Sequence, residues 1–84
     1  MKISTTKQLS AYLKDVRLDN ELSQADVAKK VGVRQDTVSN FELRPGTTKM
    51  DTFFKLLSAL ELDFEITPRN GKNNDDDSGW KEEW

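Results

Sequence analysis

The stretch from Leu22 to Glu42 has little freedom in how it can fold. Ser23-Gln24-Ala25-Asp26 is a capping box that opens a short helix bearing Val27, Ala28 and Val31. Gly32 stands where a left-handed C-terminal cap is wanted, and its missing side chain permits the positive φ of the turn. The next helix runs from about Gln35 to Glu42 and turns Val38 and Phe41 inward. Two helices joined by so short a turn must cross at a steep angle, which requires a small residue at closest approach, and Ala28 supplies it. Val27, Val31, Val33, Val38 and Phe41 then face a shared core. Gln24, Lys29, Lys30, Arg34, Gln35, Asp36, Ser39 and Asn40 point outward.

A plain hairpin of amphipathic helices would reproduce the apolar stripe. It would not usually combine the alanine, the glycine and the following valine at these spacings, so the segment is read as a DNA-binding helix-turn-helix. The flanking sequence supplies two more helices. Thr5-Thr6-Lys7-Gln8 fits a capping box, and the helix behind it aligns Leu9, Tyr12, Leu13 and Val16 before ending near Asp19-Asn20. Arg44-Pro45-Gly46-Thr47 predicts a type II turn. Thr48-Lys49-Met50-Asp51 predicts a third capping box, followed by a helix that buries Phe53, Phe54, Leu56, Leu57 and Leu60.

From Leu62 to Thr67 the period changes from helical to alternating. Leu62, Phe64 and Ile66 interleave with Asp63, Glu65 and Thr67, the pattern of a strand with one buried face. A lone strand leaves its backbone unpaired, so its expected partner is the same strand of a second copy, giving a two-fold homodimer. The alternative is an extended segment packing back on its own helices. The expected fold is mainly α: a four-helix helix-turn-helix domain, one C-terminal strand pairing across a dimer, then a disordered tail.

Composition divides the chain in the same way. Its 84 residues allow one domain. Residues 1–67 hold 27 apolar side chains and ten charges of each sign, whereas 68–84 hold only Trp80 and Trp84 as apolar residues and a net charge of −2. The first part is read as the DNA-binding and dimerisation domain, and the second as a disordered acidic tail. The whole-chain charge of −2 argues at first against nucleic acid. Between Val27 and Lys49, however, Lys29, Lys30, Arg34, Arg44 and Lys49 outnumber Asp36 and Glu42, and phosphate attraction depends on that local face. Cysteine and histidine are both absent, which removes disulfides, thiolate or imidazole metal sites and Cys-His or Ser-His-Asp catalysis. No cofactor, no metal and no enzymatic activity are expected. With no apolar run near the ~20 residues of a membrane span and no signal peptide, a soluble cytoplasmic protein associated with the nucleoid is expected.

Leu22-Ser23-Gln24-Ala25-Asp26-Val27-Ala28 and Gly32-Val33-Arg34-Gln35-Asp36-Thr37-Val38-Ser39-Asn40-Phe41-Glu42 resemble the Xre family of phage-repressor-type domains. A narrower resemblance covers most of the chain. Val38-Ser39-Asn40-Phe41-Glu42, Asp51-Thr52-Phe53-Phe54-Lys55-Leu56-Leu57, Leu60-Glu61-Leu62 and the acidic end at Glu83-Trp84 are similar to the HipB-type antitoxins of HipBA toxin-antitoxin modules. That resemblance implies a dimeric autorepressor joined through a C-terminal strand, and a partner of the HipA type, a serine/threonine kinase toxin. The likeness to phage-type repressors implies Gln35 as a base-reading glutamine, and the resembled family implies Gln24 as a phosphate contact and Arg17 with Glu42 as a structural ion pair.

Helix-turn-helix mechanics supply the remaining candidates. The N-terminal half of the second helix enters the major groove, which makes Arg34, Gln35, Asp36, Ser39 and Asn40 candidates for base contacts. The Gln35 amide has the groups to pair with adenine N6 and N7. Arg34 fits either a guanine or a phosphate. Asp36 fits either cytosine N4 or the positive end of its own helix. Ser23, Gln24, Lys30, Arg44, Thr47, Thr48 and Lys49 are the phosphate candidates. Trp80 and Trp84 are candidate anchors in a toxin pocket; a degradation handle and a plain solvated end are the competing readings of the tail. The predicted function is an autoregulating repressor and antitoxin that binds a palindromic operator. A free-standing Xre regulator without a toxin, and a helix-turn-helix used only for protein interaction, are the alternatives.

Overall fold

A computed structural model describes residues 2–69. The tail residues from 70 onward, with Trp80 and Trp84, lie outside the described residues. Four α-helices and one 3-10 turn follow in order: α1 over Thr6–Asp19, α2 over Gln24–Val31, α3 over Gln35–Leu43, the 3-10 turn over Pro45–Thr47, and α4 over Met50–Ala59.

Local chemistry explains most of these boundaries. At α1 the Thr5 hydroxyl accepts from the Gln8 N–H, but Gln8 Oε1 reaches back to the Ser4 N–H at 2.8 Å rather than to that of Thr5. At α2 the capping box is complete: Asp26 N–H donates to Ser23 Oγ at 3.0 Å, and Ser23 N–H to Asp26 Oδ2 at 2.9 Å. Gly32 ends α2 in the left-handed region, with φ +73°, and the N–H groups of Gly32 and Val33 both donate to the Ala28 carbonyl. The two other left-handed residues, Glu21 and Glu61, each at φ 58°, follow the ends of α1 and α4.

Two sequence expectations in the next connection do not hold. The predicted type II turn over Arg44–Thr47 is instead a 3-10 turn: Thr47 N–H donates to the Arg44 carbonyl, Thr48 N–H donates to the Pro45 carbonyl, and Gly46 keeps a negative φ. Proline at the first turn position suits both geometries, so the sequence did not separate them. The third capping box does not form either. Lys49, not Thr48, is the N-cap of α4 and makes no side-chain cap bond.

The core is built from Leu13 of α1, Val27 and Ala28 of α2, Val38 and Phe41 of α3, and Phe53, Leu56, Leu57, Ala59 and Leu60 from α4 and its C-cap. Leu9, Val16, Leu22, Val31, Val33 and Leu62 pack around it. α2 lies against both α3 and α4, and α1 against α3 and the 3-10 turn. Tyr12 and Phe54, expected inside, are exposed, and Phe54 is 45% so. The apolar stripe of α4 is wider than the core it covers.

Residues 62–68 carry no regular secondary structure in the single chain. Leu62 turns back, its N–H donating to the Leu57 carbonyl at 2.9 Å. Phe64 stands edge-on to Phe53 and Phe54 with ring centres 5.5 and 5.6 Å away. Exposure rises along the alternating face, from half-buried Leu62 through Phe64 at 47% to Ile66 at 82%.

Candidate nucleic-acid interface

The three-residue link Gly32–Arg34 sets α3 steeply against α2 and leaves its first turn facing solvent. Arg34, the N-cap, makes no side-chain cap bond, and Arg34, Gln35, Asp36 and Asn40 are exposed; Ser39 is half-buried. Asp36 lies in the first turn of α3, where the helix dipole favours a carboxylate.

Beneath this turn runs a chain of hydrogen bonds that begins in the core. Arg17 of α1 donates to Glu42 of α3 through Nε to Oε2 at 2.7 Å and through Nη2 to Oε1 at 3.1 Å. Its Nη1 donates to the Leu22 carbonyl at 2.9 Å. The two side chains are 9% and 8% exposed, so the expected structural ion pair is formed and largely buried. A cavity of about 10 Å³ beside it is lined by Leu13, Val27, Val38, Phe41, Leu56 and Leu60, too small for more than one water. Gln24 Nε2 also donates to Glu42 Oε1, at 2.9 Å, and Gln35 Nε2 donates to Gln24 Oε1 at 3.4 Å. Burial pushes the Glu42 carboxyl up, but the hydrogen bonds from Arg17 and Gln24 and the charges of Arg17 and Lys14 outweigh it and hold the group below its ordinary value.

The sequence placed Gln24 and Glu42 in separate roles and did not foresee their bond. They are eighteen residues apart on different helices, a separation no periodicity reveals. The bond leaves Gln24 one side-chain N–H for a phosphate, beside the backbone donors of the first turn of α2. Of those donors, Ser23 N–H goes to Asp26 and Asp26 N–H to Ser23, and the N–H groups of Gln24 and Ala25, in the first turn, have no acceptor within their helix. Asp26 is held in its charged form by the Ser23 backbone bond first and the Ser23 hydroxyl next.

The other phosphate candidates are distributed around the same motif. Lys30 lies exposed in the last turn of α2, and Lys49 lies exposed at the start of α4. Arg44 is exposed and donates from Nη2 to Asn40 Oδ1 at 3.5 Å. The Thr47 hydroxyl donates to the Arg44 carbonyl at 3.0 Å and keeps its oxygen lone pairs; Thr48 is half-buried. Among the described residues no cluster of acidic side chains has the spacing to hold a metal ion, and no helix is long and apolar enough to cross a membrane.

Short crossed helices joined at Gly32, with an exposed polar first turn on the second, define a helix-turn-helix protein. The family model described as helix-turn-helix matches residues 13–66. Antitoxin HipB of Escherichia coli strain K12 is 45% identical over 65 residues, covering 77% of this chain and 74% of that protein. HipB of Escherichia coli strain CFT073 is equally similar over 69% of its length. Among solved structures, a chain of a HipA-HipB-O2-O3 complex superposes with a TM-score of 0.79 at 43% identity, covering 81% of this chain and 96% of that one. A chain of a HipB-O4 20mer complex matches with the same score and coverage. The chain belongs to the HipB family of antitoxins.

Proposed function

We propose that this protein is a dimeric, sequence-specific repressor of its own operon, and an antitoxin that binds and neutralises a HipA-type serine/threonine kinase toxin in the cytoplasm. The observation that carries the reading is the exposed first turn of α3 with Gln35 steadied by Gln24, on a chain of the HipB family. Support for the partners is the likeness to HipB chains solved in complexes named for HipA and for O4 20mer. Gln35 reads an adenine, Arg34 takes a guanine or a phosphate, Asp36 takes a cytosine N4 or the positive end of its own helix, and Ser39 and Asn40 line the groove behind them. Ser23, Gln24, Lys30, Arg44, Thr47, Thr48 and Lys49 neutralise or donate to the backbone phosphates.

Two copies join through residues 62–67. Phe64 and Ile66 leave apolar surface open, and beside them a groove of about 550 Å³ is lined by Ile3, Tyr12, Phe53 and Leu62. Pairing of Leu62, Phe64 and Ile66 with the same segment of a second copy covers that surface and completes the backbone ladder. The dimer sets two half-sites about one helical turn, or a multiple of it, apart. Residues 68–84 supply a toxin contact through Trp80 and Trp84.

The test uses the full chain. It is expected to shift the promoter of its own operon, with affinity falling steeply as salt rises, and to co-purify with the neighbouring gene product. Binding that proves insensitive both to Gln35→Ala and to salt overturns the repressor reading. Failure to hold the neighbouring product, with DNA binding intact, leaves a regulator without a toxin.

A further inference from the structure

We infer that Glu42 is a positioning residue for base reading, acting through Gln24 to set which way round the Gln35 amide faces the DNA; this rests on the proposal that Gln35 reads a base. An ionised carboxylate can only accept hydrogen bonds. Glu42 Oε1 and Oε2 already take two from Arg17, so the Gln24 group turned to Glu42 must be its NH2, as the 2.9 Å bond from Nε2 shows. The Gln24 carbonyl is thereby turned the other way, toward Gln35. An oxygen can only accept, so Gln35 in turn presents its NH2, 3.4 Å away. Gln35 is left with one side-chain N–H and its Oε1, in a fixed order relative to the protein.

Adenine offers N7 as an acceptor and N6–H as a donor on its major-groove edge. An amide of fixed direction meets that pair in one orientation and mismatches the reverse. Exposure follows the same path: the Glu42 carboxylate is 8% exposed, Gln24 is half-buried and Gln35 is open to solvent. The direction of the outermost amide is thus dictated by a charge inside the fold. A free glutamine would turn over in solution at little cost.

The experiment is selection from randomised DNA duplexes, read as the base preference at each position, by the full-length chain and its variants. In Glu42→Gln the residue at position 42 offers either a donor or an acceptor to Gln24. The adenine preference at one position of each half-site is expected to weaken about tenfold, with the other positions unchanged. Should Glu42→Gln fail to fold, Arg17→Met/Glu42→Leu removes the carboxylate while filling the space with apolar groups, and the same loss at the same position is expected. A merely structural role lowers affinity uniformly and moves no single position. Gln24→Ala weakens binding to all duplexes through its phosphate contact, and in addition flattens that one position. Parental preference at that position in the folded Glu42 variants overturns the inference. So does a loss that recurs unchanged when Glu42→Gln is added to Gln35→Ala. If Gln35→Ala itself changes no positional preference, the base-reading proposal fails and this inference falls with it.

Discussion

Replacing Glu42 by alanine should unfold much of the protein at room temperature. The Glu42 carboxylate accepts from Arg17 Nε, Arg17 Nη2 and Gln24 Nε2, and its removal leaves the Arg17 guanidinium largely buried with the Leu22 carbonyl as its remaining acceptor. Breaking one side of a buried ion pair costs about 3–5 kcal/mol, because the other charge stays out of water. A domain of this size has only about 3–5 kcal/mol to lose from its core. At about 4–8 °C of midpoint per kcal/mol, the melting temperature should fall by at least about 12 °C. Urea unfolding followed by far-UV circular dichroism, at pH 7 and fixed protein concentration, measures the loss. Arg17→Met/Glu42→Leu, which removes both charges and extends the apolar lining of the adjoining cavity, should lie within about 1 kcal/mol of the parent or above it. A Glu42→Ala protein within about 1 kcal/mol of the parent would refute the reasoning, since the pair would then be screened by water rather than buried.

Three further outcomes follow from the same geometry. The Glu42 carboxyl is held below its unfolded value, so its contribution is full above about pH 4.5 and is lost as pH falls through the folded value; urea midpoints from pH 7 to 3 should drop more steeply for the parent than for Arg17→Met/Glu42→Leu. Glu21→Gly and Glu61→Gly relieve left-handed side-chain strain at φ 58° and should each raise stability by about 0.5–1 kcal/mol, seen as a melting point a few degrees higher. Gly32→Ala adds a methyl that meets nothing within 4 Å, so its cost is the backbone alone, about 1–2 kcal/mol by chemical denaturation; a much larger loss would indicate a clash that the geometry does not contain.

The helices and the turn at Gly32 were legible because their determinants are local. Ser23, Asp26 and Gly32 act on backbone groups a few residues away, and Val27, Val38, Phe41 and Leu56 follow one stripe each. The Pro45-Gly46 turn was misread because its residues satisfy two geometries. Thr48 was misread because cap spacing alone does not say where α4 begins. Phe54 shares the apolar character of Phe53, but only Phe53 turns into the core, where its ring lies 6.4 Å from that of Phe41 on α3. At the interface, the exposed face of α3 could be predicted from periodicity and Arg17 with Glu42 from family likeness. The bond between Gln24 and Glu42 depends on the crossing of two helices and leaves no local mark.

Arg17 touches the link after α1 through the Leu22 carbonyl and α3 through Glu42, and Glu42 holds α2 through Gln24. At nine residues α3 is too short to persist as an isolated helix in water. It cannot open by itself without breaking bonds that belong to all three helices, so its amides should exchange with solvent only as the whole domain opens. The reading helix therefore reaches DNA already ordered, and association need not spend binding free energy on shaping it.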